Sequence, residues 1–324
     1  MKELTRDILI SALMGLVLPG MVLQFGVAVW NRALETEQKA AVEEIRSVFL
    51  PVKIRSTDGT VADGDMDAYL AGVVLGEMPA YFEPEALKAQ SVVARTYARK
   101  AWETGGKHGD GSICTEPSCC QAWVSEESYL ESGGTRENVE KIRDAVLATS
   151  GQVLTYEGQL IEATYFSCSG GRTEDAAAVW GTDFPYLQAV DSPGEEDAAP
   201  YEDTMEITPD RLEEVLGIDL TGSPAKWVGE RTDTDGGGVD TIVLGGKYFT
   251  GTELRQKLGL RSTLFTVSAS EDSVVFTTRG YGHRVGMSQY GADAMAVTGS
   301  TYEQILMHYY QGAELTQLGN SADK

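Results

Sequence analysis

Cations are scarce in this chain: 26 Lys and Arg stand against 49 Asp and Glu, giving a formal net charge of -23. Binding a phosphate backbone depends on clustered cations, and no basic stripe is present, so nucleic acid is a poor partner. The acidity otherwise concerns solubility rather than fold or substrate. Internal repeats and low-complexity tracts are absent, and with 42% hydrophobic and 23% charged residues the chain is not of the disordered class. Histidine and cysteine are rare, at three and four. No HExxH helix and no GxSxG elbow occurs, so the usual zincin and serine-hydrolase signatures are missing.

Long apolar runs are also missing, with one exception. Ile8 to Trp30 carries no formal charge over 23 residues. About 20 apolar residues cross a bilayer's hydrocarbon core. A secretory h-region is shorter, about 7–15 residues, and no small-x-small cleavage site follows. The expectation is an uncleaved single-pass anchor over 1–32, with the short N-terminus inside and the large domain outside the cytoplasm. A Glu-rich helical stalk follows over 33–50. The rest reads as one large mixed α/β (α+β) domain over 51–315, with a short tail over 316–324. Within it, 192–275 differs in character and reads as an inserted subdomain.

Local signals place several elements. Val52 to Val61 reads as a hairpin around Asp58-Gly59, a pair that accepts positive φ. Asp67 to Met78 is predicted helical, with Tyr69, Leu70, Val73 and Val74 as its apolar face. Pro84 opens the clearest helix, which Gly105-Gly106 ends. Leu87, Ser91, Ala94 and Ala98 form its packed stripe, while Lys88, Arg95 and Arg99 share another face. Glu137–Thr149 is read as a helix, and Gln152–Tyr156 with Leu160–Phe166 as a hairpin around Glu157-Gly158. Beyond 192, short helices are expected at Thr208–Leu216 and Thr252–Leu258, and strands at Leu264–Val267 and Val274–Thr277. Asp235 to Gly238 reads as a turn or mobile loop, and the stretch around Glu195 as an acidic loop. Thr301 with Gln304 is a capping box for a last helix.

Five segments could carry chemistry. Glu77 ends the apolar run VVLGEMP, where partial desolvation would raise its pKa and make it an acid at neutral pH. On the basic face, Lys88 and Arg95 are candidate substrate contacts. The plainer reading is a solvated, ion-paired face, and a buried Arg95 would need a carboxylate or carbonyl partner. His108, Cys114, Cys119 and Cys120 fall within one loop, which suits either tetrahedral zinc or, outside the cytoplasm, disulfides that include Cys168. SCSGG (167–171) and GYGHRVGMSQYGA (280–292) are glycine-rich loops that could line a ligand or simply make tight crossings. Ser169, His283, Ser288, Gln289 and Tyr290 are their candidate substrate contacts.

Taken together, AGVVLGEMP, ALKAQSVVARTYA, TYFSCSGGRTE, VWGTDFPYLQAVDSP, FTGTELRQKLGLRSTLF and GHRVGMSQYGA resemble, in order, the stage II sporulation protein D family of peptidoglycan lytic transglycosylases. The resemblance spans about residues 52–313 and implies an acid/base role for Glu77. The reaction it implies cleaves the β-1,4 bond between N-acetylmuramic acid and N-acetylglucosamine, leaving a 1,6-anhydro end. Implied substrates are peptidoglycan glycan strands stripped of stem peptides. A sporulation amidase and membrane engulfment proteins are the implied partners, in the septal intermembrane space. His108, Cys114 and Cys120 reproduce the His-x5-Cys-x5-Cys spacing of zinc-binding clostridial members, which implies zinc held by those three. Cys119 is then a spare, and Cys168 a fourth ligand or a bystander. Two departures stand out: Phe166 replaces the histidine of FHSxSGG, and Arg284 replaces the second glycine of GHGVGM.

Two rival functions fit parts of the sequence. A zinc hydrolase would activate water at an open metal position, and a non-catalytic glycan-binding scaffold or amidase enhancer would need no acid at Glu77.

Overall fold

A computed structural model of the chain describes residues 50–319. The expected anchor over 1–32, the stalk over 33–50 save its last residue, and the end of the tail lie outside the described residues. Among the described residues no helix is long and apolar enough to cross a membrane.

Pro51 opens β1 (Pro51–Arg55), which turns back into β2 (Val61–Asp65) and pairs with it antiparallel, as the Asp58-Gly59 turn predicts. Asp65 then caps α1 (Met66–Glu77) by accepting from the Ala68 amide, and Tyr69, Leu70, Val73 and Val74 are buried. Met78 precedes Pro79, whose ring disfavours helical backbone one residue earlier. Met78 is accordingly extended and the helix stops at Glu77. α2 (Pro84–Thr104) is the central helix: Leu87, Ser91, Ala94 and Ala98 are fully buried, and a left-handed Gly105 ends it. Two short helices, α3 (Glu126–Glu131) and α5 (Ala176–Trp180), lie in the connections, and around the central helix pack α1, α4 (Arg136–Ala148), β4 (Gln152–Tyr156), α8 (Gln289–Val297) and α9 (Tyr302–Tyr309). Burying apolar side chains on several faces of one helix supplies most of the driving force here, at about 25 cal/mol per Å².

Strand pairing departs from the local reading in one place. The run Leu160–Phe166 is not one strand. β5 (Gln159–Leu160) completes the hairpin with β4, but β6 (Tyr165–Phe166) pairs parallel with β13 (Met287–Ser288). That pairing joins segments about 120 residues apart and sets the glycine-rich loop beside the SCSGG turn. β3 (Ser112–Cys114) adds parallel to β1, and β14 (Glu314–Gln317) adds to β4.

Residues 202–279 carry a hydrophobic cluster of their own. Leu212, Trp227, Ile242, Phe249, Leu254, Phe265 and Phe276 are among its buried members. It joins two three-stranded sheets, β8-β9-β10 (Val228–Asp233, Val239–Leu244, Lys247–Thr250) and β7-β12-β11 (Glu202–Ile207, Val274–Arg279, Phe265–Ala269), to helices α6 (Pro209–Leu216) and α7 (Gly251–Leu258). Its first and last strands lie side by side, Glu202 opposite Arg279. The capping box of α9 forms as read, with Thr301 and Gln304 exchanging both bonds.

Candidate active site

Glu77 opens into a cleft of about 640 Å³. Its walls include Tyr97, Cys119, Cys120, Tyr165, Phe166, Trp180, Tyr281, His283 and Gln289. The Glu77 carboxylate accepts the Ala122 N–H at 2.7 Å. That contact needs segment 122–124 to lie directly on α1, and two glycines one turn apart permit it. A Cβ on Gly72 would sit 2.2 Å from the Trp123 indole nitrogen, and one on Gly76 would sit 3.1–3.3 Å from Ala122 and Trp123 atoms. The Val124 amide completes the seam by donating to Gly72 O.

Burial raises the Glu77 pKa above the ordinary carboxylate value, opposed chiefly by the Ala122 amide. Burial first, and the adjacent Glu77 charge second, hold the Tyr165 phenol well above its usual value, so it remains a donor. Tyr165 is in turn held by Gln121, whose Nε2 donates to the phenol oxygen at 3.2 Å. Gln289 is only 6% exposed, and among the described residues its Nε2 has no hydrogen-bond partner. A buried donor left unpaired at a cleft wall costs about 1–3 kcal/mol until something accepts from it.

His283 is the second titratable group on this wall. Burial and the Arg255 charge hold it down to about 4, so the ring is neutral at pH 7. Its Nδ1 accepts from the Val285 amide at 3.1 Å. The ring meets Phe166 edge-on at 5.6 Å, and Trp180 tilts over it at 5.3 Å. Trp180 and Tyr281 are 42% and 49% exposed, so the cleft offers aromatic faces to solvent. Glu162 is the second carboxylate lining the cleft, and Lys100 holds it at 2.6 Å.

The other residues singled out from the sequence lie elsewhere. Arg95 is fully buried and pairs with Asp67 at 2.9 Å, also donating to the Val146 and Gln152 carbonyls. Lys88 pairs with Glu85 at 2.6 Å on the helix surface. Arg99 pairs with Glu103, so the three cations do not act as one stripe. Ser169 and Ser288 are fully buried and both donate to Glu195, and Tyr290 packs edge-on against Phe82.

Glu195 is the centre that sequence reasoning passed over as part of an acidic loop. It is 1% exposed. One oxygen accepts from the Ser169 and Gly170 amides, the Ser169 hydroxyl and the Cys168 thiol, and the other from Ser192 and Ser288. It thereby ties the SCSGG turn to the start of α8, whose first residue is Gln289. Nothing in the local pattern marks Glu195, because apart from nearby Ser192 its donors come from two distant segments, 168–170 and Ser288.

His108, Cys114, Cys119 and Cys120 converge at the cleft's edge, their ligand atoms all within 4.8 Å of one another. His108 Nε2 stands 3.6 Å from Cys120 Sγ and 3.8 Å from Cys119 Sγ, and the two sulfurs are 3.9 Å apart. Ligands at about 2.0 Å (N) and 2.3 Å (S) on a tetrahedral ion stand roughly 3.5–3.8 Å from each other, so the donor set fits a thiolate-binding metal. Burial pushes the Cys114 thiol up, but the Glu116 amide, His108 and the two neighbouring thiols outweigh it and bring it to about 7. Of the residues that the sequence leaves open for a fourth position, Cys119 belongs to the cluster. Cys168 does not. It is buried, donates to Glu195 and is pushed up to about 12, first by burial and then by that carboxylate. All four cysteines are free thiols, so the alternative disulfide pairs are not formed in this structure.

Comparison with known proteins gives concordant findings. A family model described as stage II sporulation protein matches residues 55–156. The chain is 40% identical over 275 residues to stage II sporulation protein D of Bacillus subtilis (strain 168), covering 83% of this chain and 79% of that one. It is 36% identical over 294 residues to stage II sporulation protein D of Bacillus amyloliquefaciens, covering 89% and 85%. An amidase enhancer of Bacillus subtilis (strain 168) is 30% identical over 305 residues, covering 76% of this chain and 40% of that protein.

Proposed function

The chain belongs to the stage II sporulation protein D family, and on that premise we propose that it is a membrane-anchored lytic transglycosylase acting on peptidoglycan glycan strands outside the cytoplasm. The observation that carries the reading is Glu77: a half-buried carboxyl with a raised pKa, at the wall of an open cleft, held by a backbone amide. Protonated Glu77 donates to the glycosidic oxygen as the bond from muramic C1 breaks. The carboxylate so formed takes the proton of the muramic C6 hydroxyl as that oxygen bonds to C1. The proton returns to Glu77, no water is consumed, and a 1,6-anhydro end results. Glycoside hydrolysis would need a second free carboxylate in the cleft. Glu162 is the other carboxylate there, and it is committed to Lys100.

In this reading His283 and Gln289 contact the sugar directly, with Trp180 and Tyr281 as stacking faces. Arg95, Ser169, Ser288 and Tyr290 act by holding the walls. Residues 202–279 are a unit inserted between the SCSGG turn and the 280–292 loop. Zinc is the metal for the His108, Cys114 and Cys120 centre, where it would cross-link the loop that carries Ala122. Glycan strands freed of stem peptides by an amidase are the substrate, and engulfment proteins the partners.

The test is product chemistry. The wild type and Glu77→Gln are incubated with peptide-free glycan strands, and fragment ends are scored by mass spectrometry. Anhydromuramic ends from the wild type alone are expected. Ordinary reducing ends would sink the transglycosylase in favour of a hydrolase. The amidase-enhancer relative favours a second reading, a glycan-binding scaffold. It predicts glycan binding without cleavage and unchanged function in Glu77→Gln.

A further inference from the structure

We propose that Cys119 closes the metal centre as its fourth protein ligand, and that the closed centre is a clamp holding Ala122 against Glu77. The inference rests on the role of Glu77 argued above.

The three-ligand spacing His108, Cys114 and Cys120 would leave one position open to water or substrate, as catalytic sites do. The side chains argue otherwise. Cys119 Sγ lies as near to His108 Nε2 and to Cys120 Sγ as tetrahedral neighbours on one ion stand. The two adjacent cysteines are turned onto the same centre by the backbone, since both amides donate to Glu116 O at 3.0 and 2.9 Å. Lys107 Nζ donates to the Cys119 carbonyl, an outer contact that orients this ligand and supplies a positive charge beside three thiolates. Four protein ligands leave no place for water, so this centre positions rather than hydrolyses.

What it positions follows from the topology. The ligands come from three pieces of chain: His108 after the end of α2, Cys114 at the end of β3, and the Cys119-Cys120 turn. The next two residues leave that turn for the active site. Gln121 holds the Tyr165 phenol, and Ala122 donates to Glu77 at 2.7 Å. A metal gripping positions 119 and 120 therefore fixes the start of the segment that orients the acid.

The test uses the full chain, reduced, metal-free and reloaded with Co²⁺. The wild type should give tetrahedral ligand-field bands that azide leaves unchanged. In Cys119→Ser the sulfur-to-cobalt absorption should fall by about one third, from three thiolates to two, and azide should now shift the spectrum. Hydrogen exchange supplies the second readout: the Ala122 amide should lose protection on metal removal while the Phe276 amide, in the 202–279 cluster, does not. Equal sulfur-to-cobalt absorption in both proteins, or an azide response in the wild type, would overturn the closure. Unchanged Ala122 exchange would overturn the clamp. The wild-type azide and exchange measurements stand even if Cys119→Ser fails to fold. None of these readouts requires glycan turnover, so the clamp and the transglycosylase can fail separately.

Discussion

Arg284 has left-handed backbone, at φ 64°, a conformation that favours glycine. Its guanidinium is completely buried, paired with Glu174 at 3.0 Å and donating to the Ser169, Arg172 and Gly236 carbonyls. Arg284→Gly would relieve the backbone strain but strand a buried carboxylate. The expected net loss is about 2–4 kcal/mol, read from urea unfolding. Adding Glu174→Gln should recover part of that loss, because the stranded charge is gone. The titrating groups of the cleft give a second prediction. The Glu77 pKa is raised by burial, so its acid form persists above the ordinary carboxylate range, and cleavage should fall as pH rises through that value. His283 is held down to about 4 and stays neutral between pH 5 and 8, so His283→Gln should lower the rate without moving this limb. A raised folded-state pKa stabilises below the unfolded value, and the gain is lost as pH rises through the folded one. Glu77→Gln should therefore be inactive yet at least as stable as the wild type at pH 7.5, with the advantage gone at pH 4. Thermal melts at the two pH values check this.

At the scale of elements, α1 shows why a helix can be legible while its purpose is not. Its apolar run, its Asp65 cap and the Met78-Pro79 stop are local, and the sequence carries them openly. Gly72 and Gly76 look like weak points in that pattern, since glycine in a helix costs about 1 kcal/mol against alanine. The structure shows their use: they let residues 122–124 lie on the helix and reach Glu77. Gly76→Ala should leave the melting temperature nearly unchanged, because better helix propensity offsets the crowding. It should displace Ala122 and cut kcat about tenfold with KM little altered, in steady-state assays on glycan strands. The pairing of β6 with β13 and the helix α8 escaped the sequence reading for a different reason. Each strand is two residues long, and α8 is only weakly amphipathic, so neither leaves a periodic signal.

For the whole molecule, the cleft is assembled from the end of α1, the 107–122 loop, the β6 region and the loop before β13. Two buried carboxylates join these parts. Glu195 binds the SCSGG turn to α8, and Glu174 reaches from the body to Thr234 and Gly238 of the 202–279 unit. The turn at 234–238 is thus pinned to the body. The uncharged run Ile8–Trp30 belongs to the same scale. If it anchors the chain, the full protein should sediment with membranes through a high-salt wash, and residues 50–319 expressed alone should remain in the supernatant. Release of the full chain by salt would leave only electrostatic attachment.

Sequence alone determined the longer helices, the first hairpin, the capping box at Thr301, the family resemblance and the candidacy of Glu77, because each rests on spacing within a few residues or on motifs in series. Tertiary structure decided which side chains meet. It buried Arg95, Ser169 and Ser288 in the framework, gathered Cys119 with His108, Cys114 and Cys120 while leaving Cys168 apart, and made Glu195 a keystone. The physical reason is common to all of these. A buried charge or thiol takes its role from partners that arrive from distant segments, and their convergence has no period along the chain.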